Sequence, residues 1–277
     1  MTLSPRRVRE LLDEHGLAPS RALGQNFVAD PNTVRRVARL AGVGPGDHVV
    51  EIGPGLGSLT LALAETGAAV TAVELDRHLV PVLRAVVASE APDADVRVLQ
   101  GDALALDWAP VLAGSERWSL VANLPYNIAT PLVLTLLAEV PAIERMLVMV
   151  QREVGERWAA GPGDAAYGIP SVKVALRATA EVVGRVPPTV FVPQPRVESA
   201  LVRIVRRHRP AVDADPVALS RLVDAGFNQR RKMLRRSLSG LVDADGFAQA
   251  GVDPTARAET LGLEDWAALV PVAHLDA

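Results

Sequence analysis

The sequence predicts an α/β fold, in which a mostly parallel sheet is covered by helices and is followed by a smaller, mostly helical domain. Two observations predict it. From residue 47 to about residue 150, short apolar stretches that suit buried strands alternate with longer stretches that suit helices. After about residue 180, a proline-dense segment leads into stretches that read as helices.

Length and composition fit this organisation. A chain of 277 residues is long enough for one large or two smaller domains, and we draw the boundary at 208/209, within a range of 205–213. Hydrophobic residues make up 49% of the chain, which allows a large core. We expect no transmembrane helix, because no apolar stretch of about 18 residues lacks a charge. We also expect no secretion signal, because no apolar segment follows the first basic residues.

The first 42 residues predict two helices. A capping residue followed by proline marks each start, at Ser4-Pro5 and at Asp30-Pro31, and the second helix runs over 33–41. The segment 20–27 between them reads as a loop in which we expect Phe27 to be exposed.

The alternating region and the segment after it supply the remaining elements. The predicted strands cover residues 48–52, 69–73, 96–100, 118–122, 145–150 and 199–205. The predicted helices cover residues 58–66, 78–89, 131–138, 216–229, 231–238 and 264–270.

Four residues suited to ligand binding follow predicted strands. They are Gly53, Glu74, Asp102 and Asn123. In parallel sheets of this kind, ligands bind beyond the carboxyl ends of the strands. We therefore expect all four to face one crevice.

The segment Glu51-Ile52-Gly53-Pro54-Gly55-Leu56-Gly57 predicts a tight turn from strand to helix. Glycines allow the backbone amides to approach a ligand closely, and a helix start favours negative charge. The dinucleotide fingerprint would require glycine at the position of Ser58. This favours a nucleoside cofactor other than NAD, although a glycine turn is also common for structural reasons alone.

Two carboxylates follow the next strands. Glu74 could accept hydrogen bonds from both hydroxyls of a ribose, and Asp76 is the alternative if the strand register differs by two. Asp102 could accept a hydrogen bond from an adenine amine or could cap a local turn.

The tetrapeptide Asn123-Leu124-Pro125-Tyr126 is the most specific short pattern. The Asn123 side-chain oxygen can accept a hydrogen bond from an exocyclic amine, and Pro125 can aim the Leu124 carbonyl at the same amine. Tyr126 offers a ring on which a base can stack. Phe191 is the candidate second stacking ring, with ordinary core packing as the alternative.

The charge is unevenly distributed along the chain. Residues 185–240 contain 12 arginine or lysine residues and four acidic residues, whereas the net charge of the chain is −3. If 231–238 is helical, Arg231 and Arg235 share one face, and Lys232 and Arg236 share another. Such a pattern indicates contact with a polyanion, unless the face is simply solvated. The cations proposed to contact such a polyanion are Arg230, Arg231, Lys232, Arg235 and Arg236.

Metal catalysis has little support in the sequence. The chain has no cysteine, and its five histidines are scattered without the spacing of a metal site. We therefore expect no metal cofactor, and the lack of cysteine is typical of a cytoplasmic protein.

Six segments together resemble the motifs of the ribosomal RNA adenine N6-dimethyltransferases, in the order of that family, over residues 20–240. The bacterial small-subunit branch is the most similar. The segments are Gly24-Gln25-Asn26-Phe27, Glu51 to Gly57, Glu74-Leu75-Asp76, Gly101-Asp102-Ala103, Asn123-Leu124-Pro125-Tyr126 and Phe191 to Ser199.

The resemblance implies a class I (Rossmann-like) methyltransferase sheet with S-adenosylmethionine as its cofactor. Residues 1–208 would then form the catalytic domain, and residues 209–277 a helical domain that contributes to RNA binding. The implied reaction dimethylates the N6 amines of two adjacent adenosines near the 3′ end of small-subunit (16S) rRNA. The implied partner is the small ribosomal subunit in the cytoplasm, and we expect a monomer.

The same resemblance assigns residues to the cofactor. Asn26 and the backbone of Val28 would flank its methionine part, Gly53 would lie against it, and Asn123 would lie where cofactor and base meet. Val28 departs from the family pattern, in which leucine is common. The implied cofactor-binding residues are Gln25, Asn26, Val28, Gly53, Gly55, Gly57, Glu74, Asp102, Ala103 and Asn123.

Four alternatives remain open at this point. Related antibiotic-resistance enzymes act on large-subunit rRNA, but Gly24 and Leu124 favour the small-subunit branch. A non-catalytic RNA-binding assembly factor would not need Glu74 or Asp102. A nicotinamide dehydrogenase is disfavoured by Ser58, and a DNA adenine methyltransferase would often begin the tetrapeptide with aspartate.

Overall fold

The structure is a computed structural model that describes residues 2–20 and 22–275, and these residues pack into two units. The first unit contains the chain as far as Gly155 together with Glu181–Val205. The second contains Glu156–Ala180 and the chain from Arg206 onward. The predicted division at 208/209 differs in one segment, 156–180, which packs with the C-terminal helices because Tyr167, Val172 and Leu176 enter their apolar core.

Nine strands and twelve α-helices occur in the described residues. The strands are β1 Phe27–Val28, β2 His48–Ile52, β3 Ala69–Glu74, β4 Val96–Gln100, β5 Trp118–Asn123, β6 Ile143–Gln151, β7 Ala178–Val186, β8 Phe191–Val192 and β9 Ser199–Arg206. The helices are α1 Pro5–Glu14, α2 Pro31–Ala41, α3 Ser58–Ala64, α4 Leu79–Glu90, α5 Trp108–Val111, α6 Ala129–Glu139, α7 Arg152–Ala159, α8 Ile169–Arg177, α9 Pro216–Asn228, α10 Leu234–Ser237, α11 Ala244–Ala250 and α12 Leu263–Leu269.

The main sheet has seven strands in the order β4-β3-β2-β5-β6-β9-β7. The neighbours from β4 to β6 are parallel, and β9 pairs antiparallel with β6. The chain moves outward in one direction from β2 to β4 and in the other from β5 to β6. This reversal between β2 and β5 opens a crevice beyond their carboxyl ends, which is where such sheets bind ligands.

The local signals read from the sequence are confirmed for the first two helices. The Ser4 hydroxyl accepts a hydrogen bond from the Arg7 amide at 3.2 Å, and the Asp30 carboxylate accepts one from the Thr33 amide at 2.8 Å. Both helices begin at the proline that follows the cap. A proline at this position loses no helical hydrogen bond, because the first amides of a helix have no partner within it.

The six predicted strands are present, and two of them, at 48–52 and 96–100, have the predicted bounds. Helices at 108–111, 152–159, 169–177 and 244–250 and the strand at 178–186 were not predicted. The helix at 244–250 shows why: Phe247 is its only large apolar residue, and its start depends on the Asp243 carboxylate, which accepts from the Gly246 amide at 2.8 Å. Such short elements form through their tertiary contacts rather than through their own periodicity.

The predicted helix at 231–238 is wrong in its first half. Helix α10 covers only Leu234–Ser237, and Arg231 and Lys232 lie in turns, in which the Lys232 amide donates to the Gln229 carbonyl at 2.7 Å. A helix through this segment would align like charges one turn apart, which disfavours it. The predicted pairing of cations on shared helix faces is therefore also wrong.

The expected exposed aromatic of the first loop is buried. Phe27 retains 7% of its exposure and forms β1, which pairs antiparallel with β8 so that Phe27 faces Val192 and Val28 faces Phe191. The two loops that flank the crevice therefore hold each other through a small sheet.

Within the described part of the chain, no helix combines the length and apolar character needed to cross a bilayer. The same residues contain no cluster of three or more carboxylate or histidine side chains with the geometry of a metal site.

Candidate active site

A cavity in the first unit lies at the carboxyl ends of β2, β3, β4 and β5, where the sequence predicts one crevice. It is formed by the loop before β1, the glycine turn after β2 and the ends of the other strands. The predicted residues that line it are Gln25, Asn26, Val28, Gly53, Gly55, Glu74, Asp102, Ala103, Asn123 and Pro125.

Asn123 has a buried acceptor without a partner. Its Nδ2 donates to the Asn26 carbonyl oxygen at 2.9 Å, which determines which side of the amide carries the oxygen. No atom of residues 2–20 or 22–275 donates to the buried Oδ1. A buried polar atom without a partner is costly. Its position in the wall of the cavity indicates a ligand that donates a hydrogen bond.

The backbone after Asn123 is held firmly. The Leu124 amide donates to the Met149 carbonyl at 3.0 Å, and the Ile128 amide donates to the Pro125 carbonyl at 3.2 Å. The Leu124 side chain is buried beneath the turn. The tetrapeptide thus forms a rigid turn at the end of β5.

The glycine turn is closely covered by the first loop. Gly55 has a φ of 59°, and a β-carbon there would lie 2.7 Å from Cδ1 of the Phe27 ring. A side chain at this position would displace Phe27 and the small sheet that it forms. Gly57 does not line the cavity; it lies against Leu83 of α4 and serves helix packing.

Glu74 points into the turn from the end of β3. Its Oε2 accepts from the Gly55 amide and its Oε1 from the Asp76 amide, both at 2.9 Å. Burial raises the pKa of this carboxyl, while the two backbone hydrogen bonds oppose the change. Each carboxylate oxygen still has a lone pair to offer, so the group can accept hydroxyl donors as well.

Asp76, the alternative to Glu74, is occupied by the first loop. Its Oδ2 accepts from Gln25 Nε2 at 2.9 Å, and its Oδ1 accepts from the His78 amide at 2.9 Å. Gln25 in turn accepts from the Ser20 amide at 2.7 Å. Gln25 and Asp76 therefore connect the first loop to the end of β3, and Glu74 is the carboxylate nearer the glycine turn.

Asp102 and Leu75 mark the far side of the cavity. Asp102 Oδ1 accepts from the Leu104 amide at 3.0 Å, so one oxygen caps a turn, as the alternative interpretation predicts. Leu75 lines the cavity and is 48% exposed, and the buried Ala103 lines the same wall. A polar acceptor beside apolar side chains suits the edge and face of a purine.

Sequence reasoning missed Glu51 as a member of the site. This residue lines the cavity, is 1% exposed, and accepts from the Thr60 hydroxyl at 2.6 Å. Burial raises its pKa to about 8, and repulsion from Glu74 adds to the rise. An acid inside an otherwise apolar strand was the available signal.

Tyr126 lies beside the cavity lining rather than within it. Its hydroxyl is 2.9 Å from the Ser199 hydroxyl, and burial raises the pKa of the phenol. The ring is partly buried, and part of its surface remains accessible.

The prediction of Phe191 as a second stacking ring is not supported by its position. Phe191 is 3% exposed and packs into an apolar core with Val28 and Leu201. A ring enclosed in this way offers no face to a base, so ordinary core packing describes it.

The predicted RNA-binding cations belong to the second unit. Arg231, Lys232, Arg235 and Arg236 are exposed. Arg230 differs from them, because its guanidinium donates to Glu259 at 2.7 Å and to the Ala165 carbonyl at 3.1 Å. It holds two segments of the unit together, and four cations remain as candidates for phosphate contact.

Comparison with known proteins gives a consistent picture. The family profile of the ribosomal RNA adenine dimethylases matches residues 19–274. The chain is 50% identical over 280 residues to ribosomal RNA small subunit methyltransferase A of Cutibacterium acnes, covering 97% of this chain and 93% of that relative. It is 49% identical over 272 residues to the protein of the same name from Thermobifida fusca, covering 96% and 94%.

Two solved structures are similar over nearly the whole chain. A dimethyladenosine transferase from Plasmodium falciparum superposes with a TM-score of 0.76 at 20% identity, covering 90% of this chain and 100% of that chain. The 23S rRNA methyltransferase ErmE superposes with a TM-score of 0.68 at 27% identity, covering 89% and 98%. The first supports the predicted class I methyltransferase fold, and the second supports both the fold and a kinship with rRNA methyltransferases.

Proposed function

The chain belongs to the ribosomal RNA adenine dimethylase family, and we propose that its substrate is the small ribosomal subunit. In this proposal it dimethylates the N6 amines of two adjacent adenosines near the 3′ end of 16S rRNA, as a step in ribosome biogenesis. The support for this target is the 50% identity to a relative named for small-subunit methylation, against 27% to one named for 23S rRNA.

Family membership also identifies the reaction and the cofactor. The chain is an rRNA adenine N6,N6-dimethyltransferase that uses S-adenosylmethionine, and the predicted enzyme class, fold class and cofactor are confirmed. When bound, this cofactor supplies a methyl group on a positively charged sulfur, which an amine can attack directly.

The single observation that carries the proposed mechanism is the unpartnered Asn123 Oδ1. It is buried in the cavity wall and is oriented by the bond from Nδ2 to Asn26. The exocyclic amine of an adenine is a donor of matching chemistry. An acceptor prepared in advance, at the place where positive charge develops on the amine, lowers the barrier without reorganisation during the reaction.

The residues present fit the cofactor. Gly53 brings backbone to the cavity without a side chain, the Glu74 carboxylate suits ribose hydroxyls, and the free oxygen of Asp102 suits an adenine amine. We assign the methionine part to the side of Asn26 and Val28. Gln25, Gly55 and Ala103 line the same cavity and would also contact the cofactor.

Asn123 and the Leu124 carbonyl would act on the nucleophile. The lone pair of an adenine amine is delocalised into the ring, and two acceptors on its hydrogens favour a more pyramidal nitrogen that points at the methyl group. The gain comes from positioning and from electrostatics. No strong general base is required, because the methylated amine readily loses its proton to solvent.

The target base would stack on the face of the Tyr126 ring. Stacking of a base on an aromatic side chain contributes about 1–3 kcal/mol. After the first transfer the amine retains one hydrogen, so one of the two acceptor contacts is lost. A neutral asparagine tolerates that loss better than a carboxylate, whose desolvation in a buried site costs more when a donor is removed.

The second unit would contribute phosphate contacts. Arg231, Lys232, Arg235 and Arg236 are exposed cations within six residues of sequence. Phosphate contacts of this kind supply affinity and position but not sequence specificity. The proposal also includes a cytoplasmic location, action as a monomer and catalysis without a metal ion.

The test uses the purified protein, S-adenosylmethionine labelled in the methyl group, and small and large ribosomal subunits from cells that lack the small-subunit dimethylation. Mass spectrometry of the digested RNA identifies the product and its position. Adjacent pairs of dimethyladenosine on small-subunit RNA would support the proposal. Label on large-subunit RNA alone would assign the protein to the resistance type, and cofactor binding without label on either subunit would favour a non-catalytic assembly factor.

A further inference from the structure

Ser199 is held in the sheet next to the proposed target site. It is fully buried and opens β9, where it stands opposite Gln151 of β6 in the antiparallel register. The neighbouring Arg152 amide donates to the Glu198 carbonyl at 3.0 Å, so the backbone before Ser199 is also paired. Its hydroxyl therefore has a well-defined location.

The backbone of Tyr126 is fixed by its turn, so the position of its ring depends on the side-chain torsions. The backbone of its turn is held by hydrogen bonds at Leu124 and at Ile128. The tyrosine hydroxyl forms a hydrogen bond with the Ser199 hydroxyl at 2.9 Å. A bond at the far end of an aromatic ring restrains both torsions of the side chain, and hence the plane of the ring.

The same contact links two segments that the sequence separates by more than 60 residues. Ser199 ends the segment that begins at Phe191, the residue predicted to stack on the base. The structure buries Phe191 instead, and the segment reaches the tetrapeptide through Ser199.

We propose that Ser199 is a positioning residue for methyl transfer, which orients the Tyr126 ring and thereby the plane of the target adenine. This inference rests on the proposed function, in which Tyr126 stacks on that base. Its effect should be largest on the second transfer. The singly methylated amine keeps only one hydrogen bond to the acceptors, so the base then depends more on the ring that holds it.

The experiment compares Ser199→Ala, Tyr126→Phe and the double variant in the methylation assay. Small misplacements of a reacting group cost up to about 100-fold in rate. We expect each single variant to lower kcat about tenfold, to leave the Kd for S-adenosylmethionine within about twofold, and to raise the ratio of monomethyladenosine to dimethyladenosine. The double variant should be no worse than either single one, because both remove the same bond.

The matched control is Ser119→Ala, which truncates another buried serine of the first unit that does not line the cavity. It should leave kcat and the product ratio unchanged, and thermal unfolding of all variants separates a loss of fold from a loss of positioning. Tyr126→Phe is nearly isosteric, so it tests the inference even if Ser199→Ala folds poorly.

Tyr126→Ala separates the proposed stacking role of Tyr126 from the positioning role of Ser199. If Tyr126→Ala retains wild-type activity, the stacking role in the proposed function fails. If Tyr126→Ala is inactive while Ser199→Ala or Tyr126→Phe retains the wild-type kcat and product ratio, the positioning role of Ser199 is overturned and the proposed function stands. Additive losses in the double variant would also overturn it.

Discussion

Asn123 donates its side-chain Nδ2 hydrogen to the Asn26 carbonyl at 2.9 Å in the lining of the cavity, and Asn123 Oδ1 is buried and without a partner in the described residues. The two asparagines come from the first loop and from the end of β5, which are 97 residues apart. One hydrogen bond thus joins the proposed cofactor side of the site to the proposed base side. It also assigns the oxygen, rather than the nitrogen, to the position that we propose meets the amine.

Asn123→Ala should lower kcat about 100-fold or more while changing the Kd for S-adenosylmethionine only a few-fold, because in the proposed mechanism the lost acceptor acts on the target amine in the transition state. Single-turnover methylation and calorimetric cofactor binding measure the two quantities. Asn32→Ala, an exposed asparagine of α2, is the control and should match the wild type. Equal losses in rate and in cofactor binding would contradict the role assigned to Asn123.

Replacing Arg231, Lys232, Arg235 and Arg236 with alanine should flatten the salt dependence of RNA binding. Each lost phosphate contact reduces the slope of log K against log salt concentration by about 0.7–0.9, so the four together should reduce it by about 3. Binding titrations at several salt concentrations give the slope.

The control for that series removes the same charge elsewhere, at the exposed Arg9, Arg84, Arg97 and Arg145 of the first unit. A general effect of net charge would flatten the slope equally in both quadruple variants. Only a selective effect of the first set supports phosphate contact in the second unit.

Glu51 should make the protein less stable as the pH rises. Its pKa is about 8 in the folded protein, against an ordinary value of 4.5, because burial disfavours the charged form. Between these values the unfolded chain has lost the proton that the folded protein keeps, so the free energy of unfolding falls through this window and levels off above it.

Glu51→Gln cannot ionise and should remove that fall. Each pKa unit of difference corresponds to about 1.4 kcal/mol, so the gain over the wild type should grow from near zero at low pH to about 5 kcal/mol above pH 8. Urea unfolding without cofactor, from about pH 4.5 to above pH 8, measures it. Glu90→Gln, on the exposed end of α4, should show no such growth. A gain that does not change with pH would refute this account of Glu51.

Gly226→Ala should destabilise the second unit. A β-carbon at Gly226 would lie 2.5 Å from Cη2 of Trp266, a side chain that is fully buried. Overpacking of this kind costs about 1–3 kcal/mol, which exceeds the gain in helix propensity of about 1 kcal/mol. Thermal unfolding should show a lower midpoint for this variant. Gly161→Ala of the same unit, where a β-carbon meets no atom closer than 3.8 Å, should be nearly neutral.

The sequence by itself determined the fold class and the family. Strands at 48–52, 69–74 and 96–100 are short, valine-rich stretches that end in a polar residue or just before a glycine, and such local patterning can be recognised without the tertiary structure. It also determined that Gly53, Glu74, Asp102 and Asn123 share one edge, because parallel strands end at the same edge whatever the details of packing.

Only the tertiary structure decided how these residues are used. In the sequence, Phe27, Phe191 and Tyr126 are all aromatic residues of predicted loops. In the structure, β1 pairs with β8, Phe27 and Phe191 are buried, and Tyr126 remains partly accessible. Local spacing predicts a helix through the basic segment and counts Arg230 among the cations available to RNA. In the structure, Arg230 instead donates to Glu259 and to the Ala165 carbonyl, which are distant in sequence. The physical reason is the same in each case: burial and hydrogen-bond partners come from segments far along the chain, and local periodicity carries no information about them.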